Sequence, residues 1–264
     1  MTPTRWMMPV IALFSFTAGC KDHSAASAAK DRTVAQSHTL NAPETSVTGT
    51  WCGLFVEPTG TVKVLDKASG DSILVAPNKI TLFIDRLEDG EISGYSVCAG
   101  NDRPFKGVYT EEGDKITATL KEPGDNKYDG VFDLVITKSP LSLTGKWRPL
   151  NPAQAGRSYT LVRKNFLYNP TAGKYTESSI KLLSSEDVNN LYKDELRLMR
   201  NEIYARHGYS FKLREVRALF DDQDWYIPIS TDVRKKLTAI EIKNEKLIKQ
   251  FEKYAEDSYD DYGR

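Results

Sequence analysis

The chain is poor in the residues from which most metal sites and hydrolytic centres are made: of its 264 residues only three are histidine and three cysteine. It lacks an excess of either charge as well, with 36 Lys and Arg against 36 Asp and Glu. A dedicated nucleic-acid binder carries a basic excess, so no nucleic-acid partner is expected. Scarce His and Cys leave little material for metal ligation, and neither a metal nor a cofactor is expected. No Gly-x-Ser-x-Gly or His-Glu-x-x-His pattern occurs, and His207 is the one histidine beyond residue 40. No catalytic residue can be assigned, so the chain reads as non-enzymatic. Long hydrophobic runs are missing too. The apolar stretch from Trp6 to Phe16 contains Pro9 and is too short to cross about 30 Å of hydrocarbon as a helix. What is present, 27% charged and 40% hydrophobic residues, is the composition of a folded globular chain.

The first nineteen residues have the three parts of a secretory signal: Arg5, the short apolar run, and the small residues Thr17-Ala18-Gly19 before Cys20. The Ala18-Gly19-Cys20 ending resembles the lipobox of bacterial lipoproteins, with Thr17 departing from the usual aliphatic residue. That resemblance implies a lipidated Cys20 at the mature N-terminus. Residues 20–46 are rich in Ser, Ala, Thr and Lys without apolar periodicity, the composition of a flexible tether. Lys21 after Cys20 resembles outer-membrane sorting in enteric lipoproteins. An exported cell-envelope location follows, lipid-anchored, with the outer membrane favoured over the inner.

With Cys20 assigned to lipid, Cys52 and Cys98 remain as a pair. In an exported chain an even remainder favours a disulfide, the alternative being two buried free thiols. Residues 47–166 carry short β runs such as 80–86, 91–98, 115–121 and 130–137, separated by turn residues including Asp89-Gly90 and Gly124-Asp125-Asn126. Alternation is clear in Lys115-Ile116-Thr117-Ala118-Thr119-Leu120. About eight strands at this spacing predict an antiparallel barrel or sandwich. Thr48-Gly49-Thr50-Trp51 and Thr144-Gly145-Lys146-Trp147 are near-copies. The Gly-x-Trp triplet resembles the lipocalin-like barrels, in which the Trp plugs one end. That implies either a cavity for a small apolar ligand or a closed, ligand-free barrel.

After a linker over residues 167–177 the period becomes helical, so the expected fold class is α+β with two domains. A helix is expected from about Lys193 to His207, with Leu196, Met199, Ile203 and Arg200 on its inner face and Gly208 as the residue after its C-cap. Glu202 and Arg206 are spaced for an i,i+4 pair with the acid N-terminal. Phe211, Val216, Leu219 and Phe220 form an apolar set through a short helix. Thr238 and Glu241 make a capping box, ahead of an inner stripe of Ile240, Leu247, Ile248 and Phe251.

The stretch Arg200-Asn201-Glu202-Ile203-Tyr204-Ala205-Arg206-His207-Gly208-Tyr209, continuing through Trp225-Tyr226 and Ile240–Ile248, resembles the signature of the YARHG domain family. The resemblance spans residues 178–254 and implies a small, mostly helical module on exported bacterial proteins, with no enzymatic activity attached. The last residues, 255–264, are acidic and read as a solvated end.

Two readings of Arg200, Asn201, Glu202, Tyr204, Arg206, His207, Gly208, Tyr209, Trp225 and Tyr226 stay open. In one, Arg forks and aromatic rings bind an envelope ligand. In the other, a small domain recruits them to its own core. The function expected is a binding or scaffolding lipoprotein, for peptidoglycan or an envelope protein. Alternatives are a lipocalin-like carrier and an accessory to a cell-wall hydrolase.

Overall fold

A computed structural model describes residues 45–57, 62–65, 72–75 and 77–255. The signal peptide, Cys20, nearly all of the tether and the acidic tail beyond Ala255 lie outside the described residues.

Eight antiparallel strands close a barrel: β1 (Gly49–Val56), β4 (Asn78–Glu88), β5 (Glu91–Cys98), β6 (Asn101–Glu112), β7 (Lys115–Lys121), β8 (Gly130–Lys138), β9 (Leu141–Pro149) and β10 (Arg157–Arg163). Neighbours in sequence are neighbours in the barrel, and β1 closes it by pairing with both β10 and β4. A hairpin of β2 (Val62–Leu65) and β3 (Ser72–Val75) is inserted between β1 and β4. Period-two patterning explains the fold directly. Along β7 the residues alternate exposed and buried, so that Ile116, Ala118 and Leu120 enter the interior while the intervening Lys and Thr face solvent. Antiparallel strands with one solvated face produce that alternation.

Trp51 is fully buried within the interior cluster, its Nε1 donating to Val47 O at 2.8 Å, and the Arg163 guanidinium lies 5.8 Å from its ring centroid. Arg163 also donates to the Ser46 and Thr50 carbonyls, which ties the entry of β1 to the exit of β10.

The expected disulfide is absent: Cys52 and Cys98 are free thiols. Pairing gives the reason. Cys52 on β1 lies opposite Thr81 of β4, and Cys98 on β5 lies opposite Ile80 of β4. One strand separates them, so their backbones stand about 10 Å apart at the usual strand spacing, beyond the roughly 4.4–6.8 Å that a disulfide spans between Cα atoms. They also face opposite sides of the sheet. Cys98 packs on the interior cluster, whereas Cys52 joins an outer one. Burial pushes the Cys98 thiol up to about 12 and raises Cys52 as well, so neither is a ready nucleophile.

The outer wall formed by β1, β4 and β5 is apolar, and the C-terminal module covers it. Cys52, Phe83, Tyr95 and Val97 pack against Ile227, Ile229 and Phe166. The Phe83 and Tyr95 rings stack at 4.4 Å. The Lys79 N–H donates to Asp221 Oδ2 at 3.1 Å, and the Gly100 N–H to Ser210 Oγ at 2.9 Å. Barrel and module therefore share a core.

The module consists of α1 (Glu177–Ile180), α2 (Lys193–Arg206), α3 (Arg214–Phe220) and α4 (Ala239–Glu252), with short 3-10 turns at Ser185–Asp187 and Arg234–Lys236. Thr238 caps α4 in the expected box with Glu241. Leu196, Met199 and Ile203 of α2 meet Ile248 of α4. Four expectations need correction, and the first is Arg200, which faces away from the α2 core positions and pairs with Glu252. Leu219 and Ile240 are exposed, at 41% and 36%, because the short helix α3 buries Val216 and Phe220 and turns Leu219 to solvent, and Ile240 falls on the solvent side of α4. Polar residues Glu241 and Asn244 occupy the inner stripe instead. Nor is 167–177 a free linker: Tyr175 is in the module's core and α1 begins at Glu177.

Candidate functional site

The signature lies on α2, and its residues divide between two faces. At 3.6 residues per turn, Met199, Glu202, Ile203 and Arg206 point one way, and Arg197, Arg200, Asn201 and Tyr204 the other.

On the inner face, the Arg206 side chain is completely shielded from solvent. Its Nε donates to Ala172 O at 2.7 Å, one terminal nitrogen to Ser178 Oγ and Ser179 Oγ, and the other to Tyr175 O and Glu202 Oε2. A guanidinium has five N–H donors, and all five are occupied. Glu202 in turn accepts the backbone N–H groups of Lys174 and Tyr175, at 2.7 Å each. Gly173 has φ +89°, and a Cβ there would stand 2.7 Å from the Glu202 carboxyl, so a glycine lets the chain close over this pair. Desolvation lowers the Arg206 pKa, but a guanidinium stays charged at any ordinary pH.

His207 follows at the C-cap, and Gly208 with φ +75° ends the helix. His207 Nε2 lies 2.7 Å from Glu241 Oε2, and the imidazole stacks on Tyr168 at 4.4 Å. Burial raises the Glu241 pKa, yet His207, the Thr238 N–H and Ser179 outweigh it and hold the carboxyl at about 2. Asn244, a turn along α4, accepts from the Leu183 N–H and donates to the Ser178 and Lys181 carbonyls. These groups serve one another.

The outer face opens on a groove of about 490 Å3. Its walls are Arg197, Arg200 and Tyr204 of α2, Tyr209 and Phe211 beyond it, and Arg234 from the turn before α4. Each arginine has a carboxylate partner: Glu215 at 2.9 Å, Glu252 at 2.6 Å and Asp232 at 2.7 Å, respectively. Hydrogen bonding to Glu252 raises the Arg200 pKa. Burial lifts the Tyr204 phenol to about 12, and it donates to Glu245 Oε1 at 2.8 Å. Asn201 is 4% exposed. Its Oδ1 accepts from Arg200, but its Nδ2 has no hydrogen-bond partner among the described residues. A buried amide donor without a partner costs roughly 1–3 kcal/mol. Among the groove's lining residues, Asn201 is the one with a buried side-chain donor that lacks a partner among the described residues.

Residues 174–253 match the YARHG domain. No curated protein matches the chain. The YARHG module so defined starts at the segment that wraps Glu202 and Arg206, which agrees with the packing of Tyr175.

Of the signature residues of this YARHG module, Glu202, Arg206, His207 and Gly208 belong to its internal scaffold, whereas Arg200, Asn201, Tyr204 and Tyr209 line the groove. Tyr226 is buried beside Phe211 and Phe220, its hydroxyl donating to Tyr209 O at 2.6 Å. Trp225 packs edge-on against Phe220 at 6.0 Å. Neither ring of that pair lines the groove. Sequence reasoning overlooked Arg197 and Arg234 in the walls, and Ser178, Ser179 and Asn244 in the scaffold. Arg197 falls two turns before Tyr204 on the same face and was within reach of helical periodicity. Arg234 arrives from a separate turn, and no local pattern points to it.

Proposed function

We propose that the chain is a non-catalytic, lipid-anchored cell-envelope protein whose YARHG groove binds an envelope glycan or peptide, with peptidoglycan as the first candidate. The observation that carries this reading is the unpartnered Asn201 Nδ2 in a groove walled by arginines and tyrosines. A carbonyl or carboxylate of the ligand would accept from Asn201, and the Tyr204 and Tyr209 rings offer apolar faces for sugar or peptide. Because the arginines already have carboxylate partners, the groove is not a strong anion trap. The anchor at Cys20 would hold the groove at the membrane face of the envelope.

The test is co-sedimentation of the purified chain with insoluble peptidoglycan. Wild type should pellet, and Asn201→Leu and Arg200→Gln should lose most of that binding while melting as wild type does. Equal pelleting of wild type and both variants would sink the reading. Retained variant-sensitive crosslinks to a protein in intact cells, without pelleting, would replace the glycan with a protein partner.

A further inference from the structure

A second cavity lies at the end of the barrel where β1, β5, β7 and β9 finish, and it has a volume of about 660 Å3. Its deeper lining is aromatic and aliphatic, with Phe55, Ile80, Phe132 and Trp147. Glu122 is buried there and already complete: it accepts from Ser96 Oγ at 2.8 Å, the Gly130 N–H at 2.7 Å and Trp147 Nε1 at 3.4 Å.

The rim is cationic. Arg103 and Arg157 come from the barrel, and Lys212 and Arg217 reach in from the module. Glu122 is the one carboxyl among the lining residues. Arg103 is held by Asp129 at 2.7 Å, and Arg157 pairs with Glu57. Arg217 is only partly served: one terminal nitrogen donates to the Lys212 carbonyl. Its Nε is buried with no hydrogen-bond partner among the described residues, and Asp221 approaches only to 3.9 Å. A donor left over beside an apolar recess is what an amphipathic anion would use.

We propose that this mouth is a binding site for a small organic anion with an apolar body. The carboxylate, sulfonate or phosphate lies against Arg217 and Arg157, and the body against Phe55, Phe132 and Trp147. Both domains supply the site, so the anion bridges them. An uncharged apolar molecule would leave the Arg217 donor unanswered and bury charge without compensation.

The experiment is a fluorescence titration of the full soluble chain with 8-anilinonaphthalene-1-sulfonate, an aromatic sulfonate, beside its uncharged relative N-phenyl-1-naphthylamine. The sulfonate should show a single saturable site, and the uncharged probe should bind roughly tenfold more weakly or worse, as the loss of a charge-assisted hydrogen bond implies. Arg157→Gln and Arg217→Gln should each weaken the sulfonate by about tenfold. Lys243→Gln, which removes one charge from the exposed side of α4, should not. The probe comparison on wild type stands even if one variant folds poorly, and circular dichroism identifies that case. Equal affinity for both probes, no saturable binding, or insensitivity to both arginine variants would each overturn the proposal.

Discussion

Where the barrel fills its interior with Leu82, Ile136, Leu143 and Leu161, the YARHG module places Arg206, Glu202, His207, Glu241 and Asn244 at comparable depth. The two regions reach closure by different means. The barrel removes apolar area from water at about 25 cal/mol per Å2, in a lattice of strands whose backbone bonds are already made. The module has few helices and a segment, 172–183, with little regular structure, whose N–H and C=O groups need partners. Glu202 takes two of its N–H groups, Arg206 two of its carbonyls and two of its hydroxyls, and Asn244 one N–H and two carbonyls. Buried charge here replaces the missing backbone ladder. A buried pair is weak evidence of net stabilisation against an apolar substitute, but removing one member leaves the other uncompensated.

That difference sets the size of the mutational effects. Glu202→Ala should cost about 3–5 kcal/mol, because it strands a buried guanidinium and two N–H groups at once. The loss should appear in the module's transition by calorimetry, and a change below about 1 kcal/mol would erase the contrast. In the barrel, Leu134→Ala should cost about 2–5 kcal/mol as an apolar cavity, measurable by urea titration, and its cost should not depend on pH between 3 and 7.

The module and the barrel should depend on pH in opposite directions, since burial raises the pKa of Glu122 at the barrel end while that of Glu241 in the module is lowered. Glu241 is held at about 2, below the ordinary carboxyl value of 4.5. Its contribution is therefore fully present above pH 4.5 and is lost as pH falls toward 2. Melting temperature should decline through that window, and Glu241→Gln should flatten the decline. At the junction the sign reverses. Burial raises the Asp221 pKa from 3.8 to about 6 against the pull of the Lys79 N–H and of Arg217. The protonated form's contribution is complete below pH 3.8 and disappears as pH rises through about 6. Unfolding free energy measured by urea titration should decline from pH 4 to pH 7 through this group. Asp221→Asn should remove most of that change, the smallest effect of the four.

The same contrast governs how much was legible in the sequence. Alternation in β7 and β8 and the Asp89-Gly90 turn expose the barrel plainly, since a period of two is a local signal. The largely apolar run Ile80-Thr81-Leu82-Phe83-Ile84 belongs to β4, which is covered on both faces. The cysteine arithmetic failed because an even count says nothing about which side of a sheet each thiol faces. In the module, the caps and the α2 core positions were readable, and the i,i+4 pair of Glu202 and Arg206 was seen. Its partners were not. Ser178, Ser179 and Asn244 lie 27 to 66 residues from the groups that they bond, and polar residues on an inner stripe read as solvent-facing to any hydrophobic pattern. Asn201 looked no different from its neighbours, because an unmet donor exists only in three dimensions.

The division of the YARHG signature into a scaffold face and a groove face is tested most directly by paired calorimetric melts of Arg206→Ala and Arg200→Ala. The two changes are chemically identical and lie less than two helical turns apart on α2. Arg206→Ala should destabilise the module by about 3–5 kcal/mol, while Arg200→Ala, whose pair with Glu252 is partly solvated, should cost about 1 kcal/mol or less. Equal losses, or a wild-type melt for Arg206→Ala, would contradict the division.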